Sequence, residues 1–394
     1  MTDFATAQTH LATLKSWLIT QAAPVWAKAG VDADSGAFHE ALDGEARPVR
    51  VPRRARVQPR QLYAFATAHA LGWGGDANAI ITRGLAAFEA DYRRPDGLYR
   101  ALVSPDGQPI DETARLYDQA FALFGLAAAY KADPAAVRLP NQALTLLGLI
   151  QTRLGRAGPG LLTADDQALE PLLSNPHMHM LEACLAWFEL TRANPWLEQA
   201  DAIAKLALSR FVSASSGALL EHFDISWAPL PGVEGRIVEP GHQFEWAWLL
   251  LRWGALRRAA AALDAANRLI DIGEIHGSDP VRAVSVNSLL DDFSVLDASA
   301  RLWPQTERIK AGAQAALMGR ADGWAIACRG AEGLIGYLAA AAPGLWRDRM
   351  TIDGRYVDEP APASSFYHVV CAIAELERCV TTFEGARALE APVA

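Results

Sequence analysis

The sequence predicts an all-α fold, an (α/α)6 barrel with short β-hairpins in its loops. Three observations carry this expectation. Apolar residues recur at helical spacing in about a dozen alanine- and leucine-rich segments separated by Gly, Pro and Asp. Glycine-led extended stretches recur at positions 36, 97, 160, 217 and 354, with a weaker candidate near 277; the intervals are roughly 60 residues, stretched before the last. After each comes a polar loop and then a helix start with polar residues in its first turns. Six copies of a loop plus two helices make a repeat, each unit burying its apolar face on its neighbours. Such units stack openly or close into a ring; the almost wholly apolar run at 244–251 predicts helices covered on several sides, as an inner ring requires.

The elements follow in order. The opening "MTDFATAQTHLATLKSWLITQAAPVW" reads as an amphipathic helix, with no basic region and apolar block of a signal peptide. "GAFHEAL" (36–42), "GLYRALV" (97–103), "GALLEHF" (217–223) and "GRYVDEP" (354–360) alternate for only a few residues and predict loop hairpins. Helices are predicted over "QLYAFATAHALGW" (61–73), "LYDQAFALFGLAAAYKA" (116–132), "MLEACLAWFELTRA" (180–193) and "IAKLALSRFV" (203–212). The polar helix starts are "VQPRQLYAFA", "RLYDQAFALF", "SNPHMHMLEA", "PGHQFEWAWL", "LWPQTERIKA" and "SSFYHVVCAI". We expect one domain over 1–394.

Composition narrows the function. The 394 residues are 51% hydrophobic, enough for a large core, with net charge −9 and pI near 5.5. An acidic chain without a basic face is a poor nucleic-acid binder. No apolar run reaches the roughly 18–20 residues of a membrane span. The four cysteines show no metal or CxxC spacing and read as buried thiols in a reducing, cytoplasmic compartment.

In a closed ring the six helix starts face one cavity. His242 and Glu245, three apart in "GHQFEW", then share a helical face at its mouth, and Glu245 is placed to orient the imidazole or meet the ligand. "NPHMH" offers Asn175, His177 and His179; two apart on a helix, only one histidine faces the cavity. No third ligand stands nearby in sequence, so no metal is expected. His368 lies one turn into the last helix. Carboxylates recur at Asp118, Glu182, Glu245 and Glu307, and a pair of them would serve glycoside hydrolysis. Tryptophans such as Trp303 would suit a sugar's apolar face. The arginine run "RPVRVPRRARVQPR" (47–60) is either a solvated loop or an anion grip fit for a sugar phosphate.

Taken in order, "QPRQLYAF", "LYDQAFAL", "NPHMHMLEA", "PGHQFEWAWLL", "WPQTERIKA" and "FYHV" resemble the N-acylglucosamine 2-epimerase superfamily, nearest its mannose isomerase and phosphomannose isomerase branch. The resemblance spans about residues 10–385 and implies an (α/α)6 barrel and cofactor-free, metal-independent aldose–ketose isomerisation or 2-epimerisation. It implies catalytic roles for His242 and His368 and sugar binding by Arg60, Tyr117, Asp118, Asn175, His179, Glu245, Trp303 and Glu307. The expected partner is a small-molecule sugar, with the protein a monomer or homodimer. Two departures stand out: Gln119 replaces a histidine that many members carry, and "APASSFYH" lacks an upstream lysine or glutamine found in some isomerases. The implied reaction is mannose–fructose isomerisation. Its rivals are the 6-phosphate version, 2-epimerisation, an inverting glycoside hydrolase, and a non-catalytic binding barrel.

Overall fold

The computed structural model describes residues 2–166 and 171–390. The ends of the expected unit, residue 1 and residues 391–394, lie outside it. The helices run α1 (Thr2–Trp17), α2 (Ala23–Ala29), α3 (Val57–Ala70), α4 (Ala77–Tyr92), α5 (Leu116–Ala132), α6 (Arg138–Arg153) and α7 (Ser174–Thr191). They continue with α8 (Asn194–Leu206), α9 (Pro240–Arg257), α10 (Ala260–Ile275), α11 (Trp303–Leu317), α12 (Gly323–Ala339) and α13 (Ala363–Glu390).

Two burial patterns sort them into layers. Every residue from Trp303 to Ala316 of α11 is buried, as is Pro240 to Leu251 of α9. Helices covered on all sides belong inside. By contrast α6 buries only Leu139, Ala143, Leu146, Leu147 and Ile150, a single stripe at three- and four-residue spacing, as an outer helix should. The odd-numbered helices α3, α5, α7, α9, α11 and α13 pack in succession, and α13 returns to α3, so the ring is closed. Outside it, α4, α6, α8, α10 and α12 each pack on the inner helix before them.

The sixth pair differs from the sequence reading. Its outer helix is α1, from the opposite end of the chain, packed on α12 and α13. Phe4 meets Trp324 (ring centres 5.0 Å) and Phe383 (4.7 Å), and Lys15 pairs with Glu377. Two further links close the seam: strand Ala41–Leu42 pairs with Ala361–Pro362, and Gln61 Nε2 donates to the Ala363 carbonyl at 2.7 Å.

The glycine repeat has a backbone cause. Gly36, Gly97, Gly160, Gly217 and Gly354 all have φ between +76° and +89°, where a side chain is disfavoured. The fifth repeat is not at Gly277 but at Ala283, which takes φ +57° without being glycine, so the sequence period skipped it. That repeat also carries the one long hairpin among the described residues, Val284–Leu290 with Val295–Arg301, which the sequence reading missed.

Two residues beyond four of the turns, the backbone is clamped by a glutamine from the next inner helix. Gln58 binds both the N–H and C=O of Phe38, Gln119 those of Tyr99, Gln243 those of Leu219, and Gln305 those of Ser285. In the third repeat His177 replaces glutamine, its Nε2 accepting from the Leu161 N–H at 3.0 Å. Gln119 is therefore a scaffold residue, its side-chain amide tied to the Tyr99 backbone. Replacing Gln119 by Leu strands the buried N–H and C=O of Tyr99, and should lower stability by about 2–4 kcal/mol in urea titration, with little change in KM.

Candidate active site

The inner helices all start at the same end of the ring, so their polar first turns converge. Arg60 comes from α3, Tyr117 from α5, His179 from α7, His242 and Glu245 from α9, Trp303 and Glu307 from α11, and His368 from α13. Trp303 links the two histidines expected to be catalytic. Its ring centre lies 5.1 Å from that of His242 and 5.8 Å from that of His368.

The two imidazoles sit in opposite electrostatic surroundings. His242 Nδ1 lies 3.0 Å from Glu221 Oε1 and 3.6 Å from Glu239 Oε2. Burial works to lower its pKa, but these two carboxylates more than reverse it and push it up to about 10. Glu221 is itself held by a hydrogen bond from Ser174 Oγ at 2.9 Å. His368 is also buried, and the positive charges of Arg60 and Lys310 add to that burial, so its pKa falls well below the usual histidine value. At neutral pH His242 is an imidazolium and His368 a neutral imidazole.

The expectation that Glu245 orients His242 needs correcting. Glu245 Oε1 points deeper, 3.8 Å from His179 Nδ1 and 3.9 Å from Lys310 Nζ. Burial and the neighbouring Glu307 raise its pKa well above the carboxylate range. His179 Nδ1 makes a 3.2 Å hydrogen bond to Glu182 Oε2, whose other oxygen accepts from the Tyr367 hydroxyl at 2.5 Å. Burial takes His179 down to about 4 despite that carboxylate, so it is neutral. Of the "HMH" pair, His179 faces the site, whereas His177 packs edge-on against Phe211 and Trp227.

The fold also supplies the ligand neighbours that the sequence lacked around His179. His179, Glu182 and Glu245 place one ligand atom each within 4.8 Å of one another, as do Glu245, Glu307 and His368. A cation already serves the second group: Lys310 Nζ lies 2.5 Å from Glu307 Oε2 and sits over the Trp248 ring at 3.9 Å. The donor set thus fits an internal ammonium.

Arg60 is buried, donates to the Tyr117 hydroxyl at 2.6 Å and lies over the rings of Phe121 (4.1 Å) and Tyr367 (5.2 Å). Among the described residues it has no carboxylate partner, and its Nε has no hydrogen-bond acceptor. The rest of the arginine run is spoken for. Arg47 pairs with Asp43, Arg50 with Asp106, Arg53 with Asp91, Arg54 with Glu40 and Arg56 with Asp118. So the run is not one anion grip; only Arg56 and Arg60 reach the Tyr117 ring. Asp118 is fully buried and 3.4 Å from Arg56; burial raises its pKa while Arg56 opposes that. Asn175 is half-buried, with its buried Oδ1 unpaired.

Sequence reasoning missed Glu221, Glu239, Lys310 and Tyr367. Lys310 left a signal, a lysine in an inner helix three residues after Glu307. Glu221 left none, because it comes from a loop and reaches His242 only through the fold.

Comparison with known proteins bears on the chemistry. Residues 36–372 match the family model of N-acylglucosamine 2-epimerase (GlcNAc 2-epimerase). The chain belongs to that family. This member of the N-acylglucosamine 2-epimerase family is 47% identical over 380 residues to a mannose-6-phosphate isomerase of Rhizobium meliloti (strain 1021), covering 93% of the chain and 96% of the relative. It is 32% identical over 218 residues to a D-mannose isomerase of Pseudomonas cannabina pv. alisalensis, covering 51% of each. A crystal structure of D-mannose isomerase superposes with TM-score 0.83 at 19% identity, over 94% of this chain and 97% of that one, and shows the shared fold. The epimerase-family chain is therefore an enzyme, a sugar isomerase or epimerase. No helix among its described residues is long and apolar enough to cross a membrane.

Proposed function

We propose that this enzyme interconverts D-mannose and D-fructose, and related aldoses such as lyxose, by metal-independent proton transfer through a cis-enediol. The observation that carries the reading is the opposed charge of two imidazoles beside one indole. Groups whose pKa values are pushed apart divide into acid and base. His368 takes the proton from C2 while His242 gives one to O1, making the enediol. His368 then returns its proton to C1, and His242 recovers one from the C2 hydroxyl, leaving the 2-ketose. General acid–base transfer of this kind is worth roughly 10²–10⁴-fold. Arg60 and neutral His179 support the oxygens as charge develops on them; Tyr117, Asn175, Glu245 and Trp303 complete the sugar's surroundings, with Asp118 behind them on Arg56.

A second reading is the same reaction on mannose 6-phosphate, favoured by the near-full-length relative of that name and by Arg60, which has no carboxylate partner among the described residues. Comparing kcat/KM for mannose and its 6-phosphate decides between them; a ratio above about tenfold, or 1.4 kcal/mol, assigns the substrate. Proton NMR of the products in D2O tests the reaction itself. Fructose carrying deuterium at C1 is expected; an aldose epimer as the only product would make the enzyme a 2-epimerase.

A further inference from the structure

We propose that Lys310 is a positioning residue for this reaction: by keeping Glu307 ionised, its ammonium fixes the His368 tautomer that carries its proton on Nδ1 and leaves Nε2 as the base. The proposal rests on His368 being the base of the reading above, but its first test does not depend on turnover.

The geometry is a three-member chain. His368 Nδ1 lies 2.9 Å from Glu307 Oε1, and Lys310 Nζ lies 2.5 Å from Glu307 Oε2. All three side chains are buried, Glu307 and Lys310 completely. A histidine's second nitrogen is set by what its first one meets. If Glu307 is a carboxylate, it can only accept, so Nδ1 must carry the proton and Nε2 is free to take one. If Glu307 is a carboxylic acid, it donates to Nδ1, and the proton of neutral His368 moves to Nε2. The base is then blocked.

Which state holds depends on the neighbours. From α9 comes Glu245; from α13 Tyr367, His368 and Cys371; from α7, across the bore, His179 and Glu182; from α3 Arg60 and Tyr63. On the other side of α11, toward α10 and α12, Arg308 and not Lys310 meets Glu274, which Arg329 also binds. Burial, with Glu182 beside it, raises the Glu307 pKa above the ordinary carboxylate value, and Lys310 is the leading influence against that rise. Against burial, its own charge is secured by the Glu307 and Glu182 carboxylates and by the Trp248 ring face. Among the described residues nothing else on Glu307 Oε2 would replace it: the remaining polar contact, Thr306 Oγ1 at 3.1 Å, is to Oε1.

The test uses the full chain labelled with 15N-histidine, in wild-type and Lys310→Met forms. The His368 signals are identified by their loss in His368→Gln. Wild type should show the proton on Nδ1, and Lys310→Met should shift it toward Nε2; an unchanged tautomer overturns the proposal. In turnover, Lys310→Met should lower kcat at pH 7 by roughly 10²–10⁴-fold, the scale seen when a catalytic imidazole is held in the wrong tautomer. KM should move little, and the acidic limb of kcat should shift to higher pH, where Glu307 ionises unaided. The double variant Glu307→Gln/Lys310→Met removes both charges of this pair together, and its amide oxygen can accept from Nδ1–H. It should regain at least about tenfold over Lys310→Met and keep the proton on Nδ1. A loss uniform across pH with no such rescue would mean Lys310 merely fills space, and so would an Nε2-protonated double variant.

Discussion

Replacing His368 by Asn is expected to abolish exchange of the substrate's C2 proton with solvent deuterium, and isomerisation with it. The side chain is the only imidazole at the site that is both held neutral and beside Trp303. Asn keeps a polar group near Glu307 but cannot take a proton. Loss of general-base catalysis alone is worth roughly 10²–10⁴-fold, or about 3–5 kcal/mol of barrier. Exchange should fall as far as turnover, since both need the same C–H cleavage. Deuterium uptake at C2 is read by NMR with the aldose present. Exchange retained at the wild-type rate would remove His368 from the role of base.

Replacing His242 by Gln is expected to lower kcat by a similar roughly 10²–10⁴-fold, and also to change the pH profile. In the native enzyme His242 carries its proton below about 10, because Glu221 and Glu239 hold the charge against burial. Its acid function is therefore present through neutral pH and lost as pH rises through about 10. His368 must be neutral, and its pKa lies well below 6.5, so activity should decline only in acid well short of neutrality. The wild-type profile is then a broad plateau with an alkaline limb near 10, after subtraction of the enzyme-free rate. In His242→Gln that limb should vanish from the residual activity. A variant that keeps the limb would place the acid elsewhere.

Much of the architecture could be read before any coordinates. Full burial of α9 follows from its apolar run at 244–251, whereas α11, with Glu307, Arg308 and Lys310 buried, carries no such run; the inner helix starts were each marked by polar residues in their first turns. The repeat was legible because five of six turns need φ > 0 and use glycine; the sixth uses Ala283 and was lost. The outer partner of α13 was not identified in the sequence, because a ring has no end and a pair can be assembled from the two termini. At the site, His242 and His368 were visible as polar residues in apolar helices, whereas Arg60 and His179 were singled out by the family resemblance. The role of Gln119 was not, since a scaffold glutamine and a sugar-binding residue look alike one position from Asp118.

The sequence by itself determined the helical repeat, and through its ordered motifs the family and several of the side chains at the ring's mouth, because periodicity and chain-local motifs encode these. Tertiary structure alone decided their charges. Glu221 meets His242 from a loop, and Lys310 meets the Glu307–His368 pair inside the bore. Coulomb energy and desolvation depend on distances between atoms of different helices, and no spacing along the chain records those distances.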